Sequence, residues 1–205
     1  SDVDVATVRS RVSEGEADIG LGFFVKPAVG LLRQPVCRFR LMRVGPAGGA
    51  VAGRGGVVRS QAWSALVNTN LVGLPNDNPI QALIELHLSA IGKAHENRPQ
   101  VNLLGTLIGM VEAGIGHAIV PSFALDECLR RGLDVAMLEP AVYLDLFVVS
   151  RRGAAAKPAV ADFTTVLKQA AARFDPVAVV SAKPRAKPAG RTSKPVPPRR
   201  GRASR

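Results

Sequence analysis

The sequence predicts an α/β fold with a mostly parallel, doubly wound sheet. Short apolar runs typical of buried strands alternate along the chain with longer segments in which apolar residues recur every three to four positions, the spacing of an amphipathic helix. Hydrophobic residues make up 47% of the 205-residue chain. A chain of this length and composition can bury one sizeable core or two small ones.

Residues 105–121 show both patterns together. An apolar helical face comes first, and Gly114 and Gly116 after it favour a helix end. The following apolar run is closed by Pro121, as expected for a buried strand. Residues 101–104 are predicted as the strand that leads into this helix. The predicted buried face of the helix consists of Leu107, Ile108, Val111 and Ile115.

The chain begins with a predicted helix and two strands. Val5, Val8 and Val12 share one face of the helix, which ends near Gly15. Residues 17–24 are rich in glycine and flanked by turn residues, which favours a strand. Residues 36–44 alternate apolar and basic side chains and predict a half-exposed strand. Its arginines, Arg38, Arg40 and Arg43, are expected on the solvated face, and the less favoured alternative is a phosphate site.

A flexible loop is predicted at 45–56, which contains six glycines. No Gly-Lys-Ser/Thr follows, so the loop is not a nucleotide-binding P-loop. Ser60 to Val67 is predicted as a short helix with Trp63 in the core, and Leu71 to Leu74 as a strand.

The next helix has a clear start signal, with Asn78 as the cap and Pro79 at the first helical position. Its predicted buried stripe consists of Ile80, Leu83, Ile84, Leu86, Leu88 and Ile91. After the central unit we predict a helix at 124–131, strands at 134–138 and 142–150, and a last helix at 159–174. The inward residues of the last helix are predicted to be Val160, Phe163, Val166, Leu167 and Ala170.

The positive charge of the chain lies in its last 30 residues. The net charge is +11, all 16 acidic residues lie at or before Asp175, and residues 177–205 hold nine of the 27 basic residues. Residues 176–205 have almost no bulky apolar side chain, so we predict a disordered Lys/Arg/Pro-rich tail. Such a tail suits weak, sequence-independent contact with nucleic acid, and a solubilising or functionless extension is the open alternative. The candidate contact residues are Lys183, Arg185, Lys187, Arg191, Lys194, Arg199, Arg200 and Arg202.

Two cysteines, Cys37 and Cys128, lie 91 residues apart without metal-ligand spacing. We expect reduced, buried thiols and no metal site. No uninterrupted apolar run approaches the ~18 residues of a membrane span, and the first residues are not those of a secretion signal. The expected location is therefore the cytoplasm, without membrane contact.

Three segments resemble one family when they are taken in order. They are "VSEGEADIGLGF" at 12–23, "GTLIGMVEAGIGHAIVPSFAL" at 105–125, and "DLFVVSRRG" followed by "AVADFTTVLKQAA" near the end. Together they resemble the effector-binding domain of LysR-type transcriptional regulators, over about residues 1–175. In that family a helix ending in Val-x-Ala-Gly-x-Gly precedes a strand that ends in Pro.

The resemblance implies a two-lobed fold of the type 2 periplasmic-binding-protein kind, with a ligand cleft between the lobes. Lobe I would comprise residues 1–74 plus 151–175, incomplete at its start, and lobe II residues 75–150. The family's N-terminal winged helix-turn-helix has no counterpart in these residues, so we expect a fragment of a longer regulator or a truncated gene product. Members of the family assemble as homodimers and homotetramers, and DNA binding would depend on the missing domain.

Candidate ligand-binding residues follow from the rule that open α/β sheets bind ligands beyond the carboxyl ends of their strands. Helix starts near these ends offer backbone N–H groups and a favourable dipole, which suit an anion. For Asn78 and Thr106, simple helix capping is the alternative role. The candidates are Gly22, Phe23, Asn76, Asp77, Asn78, Gly105, Thr106, Ser122 and Phe123.

No catalytic motif is present in the sequence. It lacks a Gly-x-Ser-x-Gly elbow, a His-Glu-x-x-His motif and a dinucleotide-binding fingerprint, so we expect neither an enzyme nor a cofactor. The predicted function is sensing of a small, anionic metabolite in the cleft, which modulates transcription. The alternative is a solute-binding protein of a transport system with the same two-lobed fold.

Overall fold

The computed structural model describes residues 5–24, 27–48, 58–93, 97–153 and 158–171. These residues form an α/β fold, as predicted. The predicted tail, most of the predicted glycine loop and the end of the last predicted helix lie outside the described residues. The helices are α1 (Val5–Glu14), α2 (Pro79–Ala90), α3 (Leu104–Glu112), α4 (Leu125–Arg130) and α5 (Pro158–Ala171), and the strands are β1 (Ile19–Gly22), β2 (Leu31–Gly45), β3 (Arg59–Ala62), β4 (Ala118–Pro121), β5 (Asp134–Glu139) and β6 (Tyr143–Arg151).

The sheet is mixed, and its central strand is β2. The strand order is β1-β6-β2-β5-β3, and β4 pairs with β2 off this path. Among the described strands only β3 and β5 pair in parallel, whereas β1 with β6 and β2 with β4, β5 and β6 are antiparallel. The predicted mostly parallel sheet is therefore wrong. Alternation of strands and helices indicates the class, but it does not reveal which strands become neighbours.

Strand β2 connects two hydrophobic clusters. Its first half pairs with β6, and its last residues pair with β4 and β5 on opposite edges. A register shift between Pro35 and Cys37 interrupts the pairing of β2 with β6. The smaller cluster contains Val12, Phe24, Leu31 and Val149, and the larger cluster runs from Leu41 to Leu144 in sequence. The lobe boundaries predicted at 74/75 and 150/151 stay a prediction.

The strand predicted at 36–44 is longer than expected and its end is fully buried. Arg38 is exposed, but Arg40 and Arg43 are only 8% and 7% exposed, so a solvated face is wrong for these two. Each buried guanidinium pairs with a carboxylate, Arg40 with Glu139 and Arg43 with Asp134, both at 2.5 Å. Buried charges require such partners, and both partners lie far along the sequence.

The predicted buried face of α3 is correct within the helix and wrong beyond its end. In α3, Leu107, Ile108 and Val111 are buried, but Ile115 is 47% exposed. The helix ends at Glu112, and Gly114 then adopts φ +76°, so the helical period no longer applies. In α2 the buried apolar residues are Ile80, Ile84 and Leu88.

Four other inward predictions are wrong. Leu86 is 70% exposed because it lies on the opposite side of α2 from the buried stripe. On α5, Phe163 and Val166 are 48% and 62% exposed, and Ala170 is exposed as well. The buried residue of that helix is Thr164.

Two short segments differ from their predicted type. Residues 59–62 form an edge strand instead of a helix, and a 3-10 turn follows at Trp63–Leu66. The prediction that Trp63 is buried in the core is confirmed, and its indole N–H donates to Pro140 O at 3.1 Å. Leu104 begins α3 instead of ending a strand. No helix in the described part of the chain is long and apolar enough to span a membrane.

Candidate ligand-binding cleft

A cavity of about 710 Å³ lies where β1 ends and where α1 and α2 begin. Gly22 and Phe23 line it from the end of β1, and Asp77 and Asn78 line it from the start of α2. Asn102, two residues before α3, contributes a third polar side chain. The volume falls in the range of small-molecule sites, which is roughly 300–1,000 Å³.

The start of α2 is held in place by local hydrogen bonds. The Asn78 side chain accepts a hydrogen bond from the Ile80 backbone N–H at 2.9 Å, with Pro79 at the first helical position. The Asn78 backbone N–H donates to Pro75 O at 3.0 Å. The turn thus places Asp77 and Asn78 on the cavity wall, and the predicted capping role of Asn78 is confirmed.

Within the described lining of this cavity, charge comes from the ends of two helices and from one carboxylate. The first turns of α1 and α2 face it, and the N-terminal end of a helix carries partial positive charge. Among the described lining residues none is basic, and Asp77 is the only acidic one. An anionic ligand would therefore be attracted by two helix starts and opposed by Asp77.

Phe23 contacts two further aromatic rings, those of Phe39 and Phe123. Its ring stacks on Phe123 with centroids 6.2 Å apart, and it meets Phe39 edge-on at 6.3 Å. Phe39 and Phe123 make an edge contact at 5.1 Å. These contacts are favoured geometries for aromatic pairs and fix the orientation of this cavity wall.

The structure places the sequence-predicted site residues in three groups. Gly22, Phe23, Asp77 and Asn78 line the cavity, and Asn76 lies exposed beside it. Ser122 is buried and accepts a hydrogen bond from the Arg40 backbone N–H at 3.2 Å, and Phe123 supports Phe23. Gly105 and Thr106 lie exposed in the first turn of α3, outside the lining residues. The ligand-binding role of all nine residues stays a prediction.

Sequence reasoning missed some of the lining residues. Asn102 could have been found, because a polar residue just before a helix start is a recognisable signal. The apolar lining residues Val5 and Val8 on α1 and Leu146 on β6 had no such signal. Their role depends on how distant elements meet.

An ionic cluster on strands β2, β3 and β5 surrounds the buried Asp134. This carboxylate is 6% exposed and accepts hydrogen bonds from Arg43 at 2.5 Å and Arg59 at 2.7 Å. The Arg43 guanidinium also lies 3.2 Å from Nδ1 of His117. Burial lowers the pKa of His117, and the charge of Arg43 lowers it further, whereas Asp134 acts in the opposite direction. A β-carbon at Gly45 would lie 2.5 Å from His117 Nδ1, so this packing requires a glycine.

Both cysteines are free thiols, Cys37 half-buried and Cys128 buried. Burial raises the pKa of the Cys128 thiol to about 12, and the charge of Glu127 acts in the same direction. Burial also raises the pKa of Cys37, together with the charge of Asp145. Because the thiolate is the reactive form, neither group is activated as a nucleophile.

A mixed α/β sheet with two hydrophobic clusters and a cavity at the helix starts is typical of the two-lobed ligand-binding proteins. The family described as the LysR substrate binding domain matches residues 2–172, and the chain belongs to this family. The predicted resemblance is thereby confirmed.

Known proteins agree with this assignment. The chain is 26% identical over 106 residues to the uncharacterized HTH-type transcriptional regulator YbhD of Escherichia coli K12, covering 51% of this chain and 33% of YbhD. An OxyR variant from Corynebacterium glutamicum matches with a TM-score of 0.70 at 20% identity, over 82% of this chain and 52% of that protein. The effector binding domain of QuiR in complex with shikimate matches with a TM-score of 0.67 at 14% identity, over 82% of this chain and 78% of that domain.

The structural matches show a shared fold. They confirm the predicted α/β fold of the type 2 periplasmic-binding-protein kind. The chain spans about one third of YbhD and about half of the OxyR chain.

Proposed function

We propose that this chain is the effector-sensing region of a LysR-type transcriptional regulator, and that the cavity at the starts of α1 and α2 is its effector site. The observation that carries the proposal is this cavity of about 710 Å³ in a chain of the LysR substrate-binding family. Sensing and transcriptional control belong to the whole regulator, of which these residues would be one part. We expect no catalytic activity and no cofactor.

The ligand we propose is a small, anionic metabolite. Two helix starts face the cavity, and Asn78 and Asn102 supply amide groups that can hydrogen-bond a carboxylate. The QuiR domain was solved with shikimate, a carboxylate-bearing molecule, which supports this chemical class. The negative charge of Asp77 would limit how much negative charge a ligand in this site can carry.

The mechanism we propose is a change in the angle between two lobes. Residues 1–74 plus 151–175 and residues 75–150 are the lobes expected from the sequence. The two hydrophobic clusters support a first crossing inside β2 in place of the one expected at 74/75, because Leu31 lies in the smaller cluster and Leu41 lies in the larger one. A ligand that contacts α1 and α2 together would bind one lobe angle better than another, which shifts the population of states.

The remaining partners belong to the same proposal. A DNA-binding domain outside these 205 residues would be positioned by pairing of subunits as homodimers or homotetramers. The basic residues after 176 would add weak contact with nucleic acid. Sedimentation velocity of the chain tests the pairing, and a strictly monomeric protein at micromolar concentration would argue against it.

A ligand screen with matched variants tests the effector site. Thermal unfolding is measured with shikimate, other small mono- and dicarboxylates, and neutral and cationic analogues. Binding to the native state alone stabilises it, by about 2.7 kcal/mol when the ligand is at 100 times its Kd. We expect one or more carboxylates to raise Tm.

The control pair is Asn102→Ala and Asn68→Ala. Asn102 lines the cavity, whereas Asn68 is an exposed asparagine outside its lining residues. We expect Asn102→Ala to weaken the stabilisation and Asn68→Ala to preserve it. Equal effects of the two variants, or stabilisation by cations alone, would count against the site.

The DNA sequence upstream of the codon for Ser1 tests the regulator assignment. An in-frame winged helix-turn-helix followed by a linker helix would support it. A secretion signal would favour a solute-binding protein of a transport system, and the DNA-binding part of the proposal would be withdrawn.

A further inference from the structure

A second pocket, of about 330 Å³, lies on strands β2, β3 and β5. We call it the arginine pocket, and its described lining residues are Arg43, Arg59, Ser60, Gln61, Asp134 and Ala136. None of these residues lines the proposed effector cavity. The volume is near the lower end of small-molecule sites, which is roughly 300–1,000 Å³. The pocket is therefore a separate candidate site.

The strand register brings the two arginines to one face of the sheet. Arg59 of β3 pairs with Ala136 of β5, and Ala136 pairs with Arg43 of β2. Residues paired across neighbouring strands project their side chains from the same face. The three residues thus form one row, in which a methyl group separates two long side chains. The space left by this small side chain accounts for a pocket that Ala136 lines.

Asp134 holds both guanidiniums but does not use all of their donors. It accepts a hydrogen bond from Arg43 at 2.5 Å and another from Arg59 at 2.7 Å. Each guanidinium carries five N–H donors. Within the described residues, the Nε atoms of both arginines are buried without a hydrogen-bond partner. The cluster therefore has more donors than its one carboxylate satisfies.

The lining of the arginine pocket carries an excess of positive charge. Two guanidiniums face one carboxylate, and among the described lining residues only Ala136 is apolar. The Arg59 side chain is 40% exposed, so a dissolved ligand can reach its guanidinium, whereas Arg43 is 7% exposed and lies deeper. The pocket therefore favours a small, polar anion.

The types of donor in the pocket suit a phosphate group. A planar guanidinium can donate two parallel hydrogen bonds to one phosphate. Ser60 and Gln61, next to Arg59 on β3, add a hydroxyl and an amide group. A phosphate group presents oxygens in several directions, so it can accept from all three side chains together. A carboxylate has only two oxygens and would leave part of this set unused.

We propose that the arginine pocket binds the phosphate group of inorganic phosphate or of a small phosphate monoester. Arg59, Ser60 and Gln61 contact the phosphate, and Arg43 adds its charge from the buried side. Of the β2 arginines for which a phosphate site was the sequence-based alternative, Arg43 is the one that lines this pocket. The proposal does not depend on the function of the effector cavity, because the described lining residues of the two are different.

Inorganic phosphate is the first probe, and its binding to the complete chain is measured by calorimetry and by chemical-shift changes at constant ionic strength. Acetate controls for a carboxylate. We expect saturable phosphate binding with shift changes at Gln61 and Ala136. We expect acetate to bind about tenfold more weakly, the order of one charge-assisted hydrogen bond. Acetate binding as tight as phosphate binding would overturn the phosphate assignment.

Glycerol 3-phosphate distinguishes the two sources of the phosphate group, with glycerol as its control. Tighter binding of glycerol 3-phosphate than of inorganic phosphate, without binding of glycerol, assigns the pocket to a phosphate monoester. Equal or weaker binding assigns it to free phosphate. Both results support a phosphate site, whereas binding of glycerol as tight as that of glycerol 3-phosphate contradicts it.

Matched substitutions test the residues of the pocket. Gln61→Glu adds a negative charge with little change in side-chain size, and its control is Gln34→Glu, at an exposed position of β2 outside the pocket lining. We expect Gln61→Glu and Arg59→Gln to weaken phosphate binding about tenfold. Arg59→Lys keeps the charge and should weaken binding less, and Gln34→Glu should leave it unchanged. Circular dichroism confirms folding of each variant.

The cleft variant Asn102→Ala separates the arginine pocket from the effector cavity, and we expect it to preserve phosphate binding. If Asn102→Ala abolishes binding while Arg59→Gln and Gln61→Glu do not, phosphate occupies the effector cavity. If all three variants bind normally, phosphate binds elsewhere, for example at the basic residues after 176. Either result rejects the arginine pocket as the site, and so does absence of phosphate binding at millimolar concentration.

Discussion

Asp134 shows how one buried carboxylate can hold several elements together. It lies at the start of β5 and accepts hydrogen bonds from Arg43 of β2 and Arg59 of β3. Three neighbouring strands therefore depend on one side chain. Removing its charge would leave Arg43, 7% exposed, without its ionic partner.

We expect Asp134→Asn to lower the free energy of unfolding by about 3 to 5 kcal/mol, the usual cost of breaking a buried ion pair. Asp145→Asn is the matched control, because Asp145 and Arg38 form an exposed pair with side chains 43% and 63% exposed. For the control we expect a change within about 1 kcal/mol. Urea unfolding of both variants measures the difference, and equal losses would contradict the assigned role.

His117 predicts a pH dependence of stability. Burial and Arg43 lower its pKa in the folded chain, so the unfolded chain takes up a proton first as the pH falls. The stabilising contribution is therefore complete above the ordinary histidine pKa of about 6.5. It is lost as the pH falls from there through the folded pKa.

We expect His117→Gln to remove this contribution, so that the variant loses less unfolding free energy than the natural chain between pH 7.5 and pH 5. Urea titrations at these two pH values provide the measurement. A variant that loses stability as steeply as the natural chain on acidification would show that His117 is not the titrating group.

At the scale of elements, α2 begins with a local signal that also forms part of the cavity. Asn78 caps the Ile80 N–H and lines the cavity wall, so capping and ligand contact are both available to one side chain. Two substitutions separate these roles. Asn78→Ala removes both, whereas Asn78→Asp keeps a good cap and adds a negative charge.

We expect Asn78→Ala to lower the free energy of unfolding by about 1 kcal/mol. Asn78→Asp should retain stability but weaken binding of an anionic ligand. The control Asn76→Ala, at an exposed neighbour, should change stability by less than about 0.5 kcal/mol. Urea unfolding measures the change in stability, and ligand titration measures the change in binding. If Asn78→Asp binds an anion as tightly as the natural chain does, Asn78 acts only as a helix cap.

The elements themselves were predictable where their signals are local. The start of α2, the glycine end of α3 and the buried run of β4 were recognised from adjacent residues. The 15-residue strand β2 was not predicted at its full length. Its arginines suggested a solvated face. Two of them are instead buried and paired with Glu139 and Asp134, which lie about 90 or more residues further along the chain.

At the scale of the whole molecule, the cavity unites residues that are far apart in the chain. Of the predicted ligand-binding residues, Gly22, Phe23, Asp77 and Asn78 line it, whereas Gly105 and Thr106 do not. The rule about strand ends and helix starts therefore selected four residues that line one cavity. It did not reveal which helix starts converge, because that depends on the arrangement of all the elements.

We expect Asp77→Asn to strengthen binding of an anionic ligand to the cavity by about fivefold, the order of ~1 kcal/mol for one nearby charge in a solvated site. The matched control is Asp162→Asn, an exposed carboxylate on α5 outside the cavity lining. Titration with the carboxylate that stabilises the natural chain most strongly is the measurement. Tighter binding of a cation by Asp77→Asn would reverse the proposed ligand class.

The sequence by itself determined the α/β class, the start of α2, the end of α3 and the family, because apolar periods, caps and glycine turns act over a few neighbouring residues. Only the tertiary structure decided the direction of strand pairing, the burial of Arg40 and Arg43, and the lining of the cavity. Each of these depends on contacts between residues distant in the chain. Such contacts follow from how complete elements pack together, and a local pattern does not contain them.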